Sequence, residues 1–307
     1  MTKSTAATIL LAMLFSTVAY GGAIRVDADI PLDAAYADSV IHVTAGRLEP
    51  LVGFGAPDSL DVYIVTTQDK FDSLAGDAIP DWGAGVAIPY KYRIVIKSPR
   101  MMPGDKPLGE LMAHEYAHMV MAHAVGYREV PRWLDEGMAM YMSAEWSWDD
   151  NVAMARAVIV GGEIPLTEIE YLNRFTAPKA QVAYSESFLA FKYFLDTYGK
   201  SSLRILLSGI ASGQNIDDAL VTAIGADYGA FEREFAGYLH GRYNIVSLLF
   251  DSNLFWILLA VIAVVGFIIV RLRRHKRIEQ LDEYDALHST DFDYGEVEKP
   301  DEDKPWD

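Results

Sequence analysis

The chain has no cysteine. That excludes thiolate metal ligands, a cysteine nucleophile and disulfides, and it is ordinary for an exported protein of a bacterial periplasm. Basic charge is scarce as well, with 26 Lys and Arg against 43 Asp and Glu and a formal net charge of −17. Nucleic acid is therefore not an expected partner. The surplus of acid is uneven, because residues 278–307 hold twelve acids and only two lysines. Internal repeats are absent. Charge of either sign is missing from Leu254 to Val270, a run of 17 residues at the lower edge of what spans a bilayer.

That apolar run is followed by Arg271, Arg273, Arg274, Lys276 and Arg277. Such a cluster stays cytoplasmic, which predicts that residues 23 to about 250 lie on the other side of the membrane. Residues 1–22 agree with this, since Lys3, an apolar stretch from Ile9 to Ala19 and the small residues Gly21 and Gly22 read as a secretory signal peptide. The alternative, an uncleaved signal anchor, leaves the following domain on the same side. The expected organisation is a signal peptide at 1–22, an exported domain at 23–245, a membrane helix at 253–271 and a cytoplasmic tail at 272–307. The expected location is the bacterial inner membrane, crossed once, with the domain periplasmic. The tail is basic, then acidic, and lacks apolar periodicity, so it reads as disordered and solvated. A cytoplasmic partner that reads its acids and aromatics (Tyr284, Phe292, Tyr294, Trp306) is the other reading.

Within the exported domain, Ala28–Arg47 predicts a helix or a strand–helix pair. Leu60–Thr66 (LDVYIVT) predicts a strand from its β-branched and aromatic content, and Lys70–Leu74 a short helix. Trp82–Ile88 is Gly-rich and broken. Tyr90–Lys97 (YKYRIVIK) predicts a second strand, alternating at Tyr92, Ile94 and Ile96. Helical patterns then dominate: Ser147 onward to Gly161-Gly162, a loop around Pro178, a helix Tyr184–Tyr198 closing at Gly199, and helices at Leu203–Ser208, Ile216–Ile224 and Tyr228–Tyr238.

The chemistry concentrates in Leu108–Ala144. Pro107 suits the start of a helix, and Leu111, Met112, Tyr116, Met119, Val120 and Ala122 keep helical spacing as far as Gly126. On that helix lies His114-Glu115-Tyr116-Ala117-His118. Two histidines four apart leave the same face, about 6 Å apart along the axis, which suits two ligands of one zinc ion. Glu115, beside the first, reaches the reacting water without itself binding metal, the layout of a metal-assisted peptide hydrolase. The first motif alone is a frequent chance match. A third ligand is available in Glu136, 18 positions after His118, on a second helix that Pro131 starts and Met138, Met140 and Tyr141 anchor. A hairpin turning near Gly126 brings it back toward the histidines.

HEYAH followed by PRWLDEGMAMY resembles the gluzincin peptidases, the thermolysin and aminopeptidase N-like group, and within it the small bacterial branch whose second signature reads W-L-x-E-G-x-A-x-Y. The resemblance implies an α+β, zincin-like fold: a small mixed sheet, here in residues 23–106, beside a mainly helical catalytic part at 107–245, with the C-terminal transmembrane helix added. It implies one catalytic Zn2+ held by His114, His118 and Glu136, with Glu115 as general base and acid on a peptide or protein substrate. It further implies that an edge strand before the motif, placed at Tyr90–Lys97, pairs with the substrate backbone. Tyr184, in VAYSES, is similar to the oxyanion-binding tyrosine of V-x-Y-x-K-G, although the Lys and Gly of that pattern are missing. The G-x-M-E-N segment of the aminopeptidases has no counterpart, because Gly83–Ile88 carries no acid. Endoproteolysis, or peptidase action on an unusual substrate, is therefore the expected activity. Two alternatives remain: a non-catalytic membrane-anchored scaffold retaining the fold, and a zinc hydrolase of a non-peptide amide.

Overall fold

The computed structural model describes residues 23–55, 57–76, 83–101, 106–244 and 252–287. The expected signal peptide and most of the expected tail lie outside the described residues. The chain forms two units, one ending at Asn244 and one beginning at Ile245.

In the first unit, β1 (Ala23–Ala28) leads into α1 (Pro31–Val52), so the ambiguous start resolves as a strand–helix pair. Pro31 occupies the first turn, where no N–H is needed, and Gly53 ends the helix with a left-handed φ of 84°. Ala37, Ile41, Thr44, Leu48, Leu51 and Val52 form its buried stripe. β2 (Ser59–Val65), α2 (Gln68–Ala75), β3 (Gly85–Ile88) and β4 (Arg93–Lys97) follow. The sheet order is β1-β2-β4-β3; β1–β2 and β2–β4 are parallel and β3–β4 is antiparallel.

Two expectations change here. The second strand begins at Arg93 rather than Tyr90, because Pro89–Lys91 form a 3-10 turn and Tyr92 takes a left-handed backbone with φ 50°. β4 is also flanked on both sides, by β2 and β3, so it offers no edge. The outer strand on the β4 side is β3, from the Gly-rich stretch that reads as broken.

The helical part comprises α3 (Leu108–Ala124), α4 (Arg132–Ser143), α5 (Trp148–Val160), a 3-10 segment at Ile169–Arg174, α6 (Ala177–Ala211), α7 (Ile216–Ile224) and α8 (Tyr228–Arg242). Pro178 sits in the first turn of α6 rather than in a loop, and the backbone of α6 breaks at Gly199 (φ 79°), where a helix end is expected. α4 packs between α3 and α6. The fully buried Trp133 of α4 stacks on Phe231 of α8, with ring centroids 5.1 Å apart.

The approach of α4 to α6 depends on Gly137. A Cβ there would lie 2.2 Å from the Ser187 carbonyl oxygen and 2.7 Å from Phe191 Cβ, closer than any real contact. The architecture is α+β, with a small mixed sheet beside a mainly helical body. The described residues of the second unit form one helix, α9 (Ser252–Leu287), which runs past the end of the expected 253–271 span. Its stretch Trp256–Ile278 has 23 residues, an 18-residue part of which has a mean hydropathy of 2.3, and by length and composition it could cross a membrane.

Candidate metal centre

α3 carries His114 and His118 one helical turn apart, with ring centroids 4.9 Å apart. The turn after it contains Gly126 (φ 62°) and Tyr127 (φ 59°), and the Tyr127 amide donates to the Ala122 carbonyl at 2.7 Å. This reversal, near the position that the sequence marks, sends α4 back along α3 and brings Glu136 to the histidines. Glu136 Oε2 lies 3.5 Å from His114 Nε2 and 3.7 Å from His118 Nε2. The three ligand atoms all fall within 4.8 Å of one another. A tetrahedral zinc with bonds near 2.1 Å separates its ligands by about 3.4 Å, close to the two Glu136 distances, so contraction of the set would close it. The donor set of two imidazole nitrogens and one carboxylate fits zinc.

The outward ring nitrogens strengthen this fit. His114 Nδ1 is 2.9 Å from Glu145 Oε1, and His118 Nδ1 is 2.8 Å from Asp135 Oδ1. A carboxylate only accepts, so each Nδ1 carries a hydrogen, and Nε2 is the ring nitrogen left on the Glu136 side for a metal. Lys106 pairs with the other oxygen of Glu145. Arg132, one turn before Glu136, binds Glu136 Oε1 at 2.9 Å and leaves Oε2 to face the histidines. Asp135 thus supports a histidine and is not one of the converging groups.

The electrostatics ask for positive charge at the centre. Burial disfavours the imidazolium of His114, but the Glu136 and Glu145 carboxylates outweigh it and lift its pKa to about 10. Burial likewise works against the Glu136 carboxylate, yet His114, His118 and Arg132 hold it down to about 2. Glu145 is also held at about 2 against its burial, by His114 and Lys106.

Glu115 is buried beside the three groups. Burial pushes its carboxyl up and Glu136 adds to this, while His114, His118 and the amide of Ala87 oppose. It fits because Gly85 of β3 has no side chain: a Cβ there would stand 3.0 Å from Glu115 Oε1 and 3.1 Å from its Cγ. Tyr184, in the second turn of α6, faces the same space. Burial, then the charge of Glu136, raises its hydroxyl pKa, so it is a proton donor at neutral pH.

Two cavities meet at these residues. One of about 1010 Å3 runs along Val86, Ala87 and Tyr90 toward Tyr127, Arg128 and Glu170. The other, of about 760 Å3, is lined by Leu111, Met140, Leu172 and Phe175. His114, Glu115 and Tyr184 line both. The structure therefore brings together His114, Glu115, His118, Glu136 and Tyr184. Sequence reasoning passed over Glu145, Lys106 and Arg132. Only Arg132 left a signal, its i,i+4 spacing to Glu136.

This combination of an HExxH helix, a returning glutamate and a neighbouring edge strand defines a zincin-like peptidase fold. A model of the Peptidase MA superfamily matches residues 42–241, more than half of the chain, and the protein belongs to that superfamily. No curated protein sequence matches it.

Proposed function

We propose that the protein is a membrane-anchored zinc endopeptidase of the gluzincin group. The observation that carries this reading is the paired geometry of the histidines, with both Nε2 atoms 3.5–3.7 Å from one Glu136 oxygen and both Nδ1 atoms bonded to carboxylates. His114, His118 and Glu136 would hold the zinc, and Asp135, Glu145 and Arg132 orient those three. Bound there, zinc would polarise the scissile carbonyl and acidify the attacking water.

Glu115 then takes a proton from that water and returns it to the leaving amine. Its burial supports the second half of the cycle, because a carboxyl that resists ionisation holds a proton readily. Tyr184 donates its hydroxyl hydrogen to the oxygen that becomes negative as the carbonyl is attacked. The outer edge of β3, rather than residues 90–97, holds the substrate backbone in extended form. Cavities on both sides of Glu115 favour cleavage inside a chain, since a polypeptide has room on either side of the reacting bond. The apolar stretch of α9 followed by five basic residues supports a single membrane crossing with the catalytic unit outside the cytoplasm.

The test is Glu115→Gln in the full chain, measured by zinc content and by cleavage of an unstructured protein such as casein. Full zinc with turnover lost supports the assignment, and retained turnover rejects Glu115 as the base.

A further inference from the structure

β3 gives a substrate only a short backbone grip. The Lys97 amide donates to the Ala84 carbonyl at 2.9 Å, and the register then makes Val86 and Val95, and Ile88 and Arg93, the bonded pairs with β4. In an antiparallel ladder the residues between them, Gly85 and Ala87, turn their N–H and C=O outward. The next outward position is Pro89, which has no N–H and starts the 3-10 turn that ends the strand. Main-chain pairing along this edge holds different sequences alike, so selection has to come from side-chain contacts beyond it.

Beyond it the larger cavity continues to an aromatic wall. Tyr90, from the turn after β3, and Tyr127, from the turn after α3, both line it. They are 77% and 43% exposed. Tyr92 stands edge-on to Tyr127, with ring centroids 5.8 Å apart and planes at 89°. His123 braces Tyr127 from α3 at a centroid distance of 6.2 Å, and its own Nδ1 lies 2.9 Å from the Gly55 carbonyl oxygen. The backbone of this wall is strained. Tyr92 (φ 50°) and Tyr127 (φ 59°) are two of the three non-glycine residues with a left-handed backbone among the described residues. That conformation suits Gly or Asn; a bulky residue keeps it only where its surroundings enforce it, and such positions gather at ligand clamps. Here both strained residues are tyrosines, they pack on each other, and one of them lines the cleft. Rings already held in place lose little freedom when a ligand meets them.

We propose that Tyr127, backed by Tyr92 and flanked by Tyr90, forms a subsite for an aromatic side chain of the substrate, about two to four residues from the scissile bond. The proposal rests on the peptidase reading above and names what that site selects. The spacing follows from the strand rise. Glu115 stands against Gly85, and Ala87 is the last outward residue of β3 that can both donate and accept. Three residues separate Ala87 from Tyr90, at most about 10 Å, and a chain paired to the edge advances by the same rise. The cleft is continuous from His114 and Glu115 to this wall, so the group that covers the wall is the next part of the same bound chain. Edge-to-face contact of the kind that Tyr92 already makes favours an aromatic ring over an aliphatic side chain.

The test maps the bonds cut in unfolded casein by the full chain supplied with zinc, with the products sequenced by mass spectrometry. The parent is compared with Tyr127→Phe, Tyr127→Asn and Tyr90→Ala. Asparagine accepts a left-handed backbone, so the ring is removed without added strain, and Tyr90 is too exposed for its loss to disturb a core. In the parent, Phe, Tyr and Trp should be enriched about 2–10-fold over their frequency in casein, on one side of the cut and about two to four residues from it, the ratio that one ring–ring contact gives. Tyr127→Phe should keep the enrichment, Tyr127→Asn should abolish it and Tyr90→Ala should reduce it. Cleavage without the enrichment, or enrichment that survives in Tyr127→Asn, overturns the subsite and leaves the peptidase standing. Should Tyr127→Asn fail to fold, undiminished enrichment in Tyr90→Ala overturns it instead. No cleavage of casein by the parent overturns the peptidase reading and the subsite with it.

Discussion

Gly137→Ala isolates the packing that holds Glu136, the proposed third ligand, in place. The new Cβ would lie 2.2 Å from the Ser187 carbonyl oxygen and 2.7 Å from Phe191 Cβ. Both neighbours are fully buried, and one contact is backbone, so no side chain can swing aside. A carbon–oxygen contact near 3.2 Å then requires α4 and α6 to part by about 1 Å. Over-packing of this kind costs about 1–3 kcal/mol, and removing a mid-helix glycine returns up to about 1 kcal/mol. A net loss of about 1–2 kcal/mol lowers Tm by roughly 2–8 °C in a domain of this size. The shift falls one residue from Glu136, and metal ligands tolerate displacements of only about 0.2 Å. Zinc affinity should fall by about 10–100-fold, the range seen when support around a ligand is lost. Thermal unfolding without zinc, together with titration against a chelating competitor, reads both effects. A variant as stable as the parent, with unchanged zinc affinity, would refute the close approach of the two helices at this site.

Other outcomes separate the roles of neighbouring residues. Asp135→Asn and Glu145→Gln should each weaken zinc about 10–100-fold by loosening a histidine, and Glu136→Gln should weaken it further; chelator competition ranks them, and a larger loss for Asp135→Asn would exchange the roles. Tyr184→Phe should retain zinc and KM within about twofold and lower kcat by about 10²-fold or more, as for loss of one oxyanion donor; steady-state kinetics on a defined peptide checks this. Glu186 is fully buried, accepts from the Ile164 amide at 2.9 Å, and is raised by burial from the ordinary carboxyl value of 4.5 to about 8. Because the folded chain holds that proton more tightly than the unfolded one, stability falls as pH rises from about 4.5 to 8, and the full penalty of roughly 3–5 kcal/mol is present above pH 8. Glu186→Gln should therefore flatten the decline and be the more stable protein at pH 9, read by denaturant unfolding across pH.

The parts of the site legible in the sequence are those fixed by helical periodicity. His114 and His118 share a face because they are four apart, and Gly126 marks the reversal because a left-handed residue is needed there. Glu136 was identified by its setting in W-L-x-E-G, and the structure shows what that setting does: Trp133 anchors α4 on Phe231, and Gly137 admits α6. Asp135 and Glu136 point about 100° apart, and their different partners follow from that. Glu145 had no such handle. It reaches His114 from the loop between α4 and α5, 31 residues away, and the path of a loop is set by tertiary packing rather than by local pattern.

The misplaced edge strand has one physical origin. Strand signals weigh β-branched and aromatic side chains, so YKYRIVIK reads as a strand over its whole length and Gly85-Val86-Ala87-Ile88 hardly reads as one. Yet an outer strand packed against the buried Glu115 carboxylate has to be poor in side chains where the two approach. At Gly85 a Cβ would meet Glu115 at 3.0 Å, so the residue that weakens the strand signal is the residue that lets the strand lie there. The richer segment, able to pair on both sides, takes the interior position as β4, and its first three residues are lost to the turn that Pro89 starts. A Gly-rich break just before a strong strand and an HExxH helix is thus compatible with an edge strand fitted closely around the site. In this chain the glycine stands where the carboxylate of Glu115 needs room.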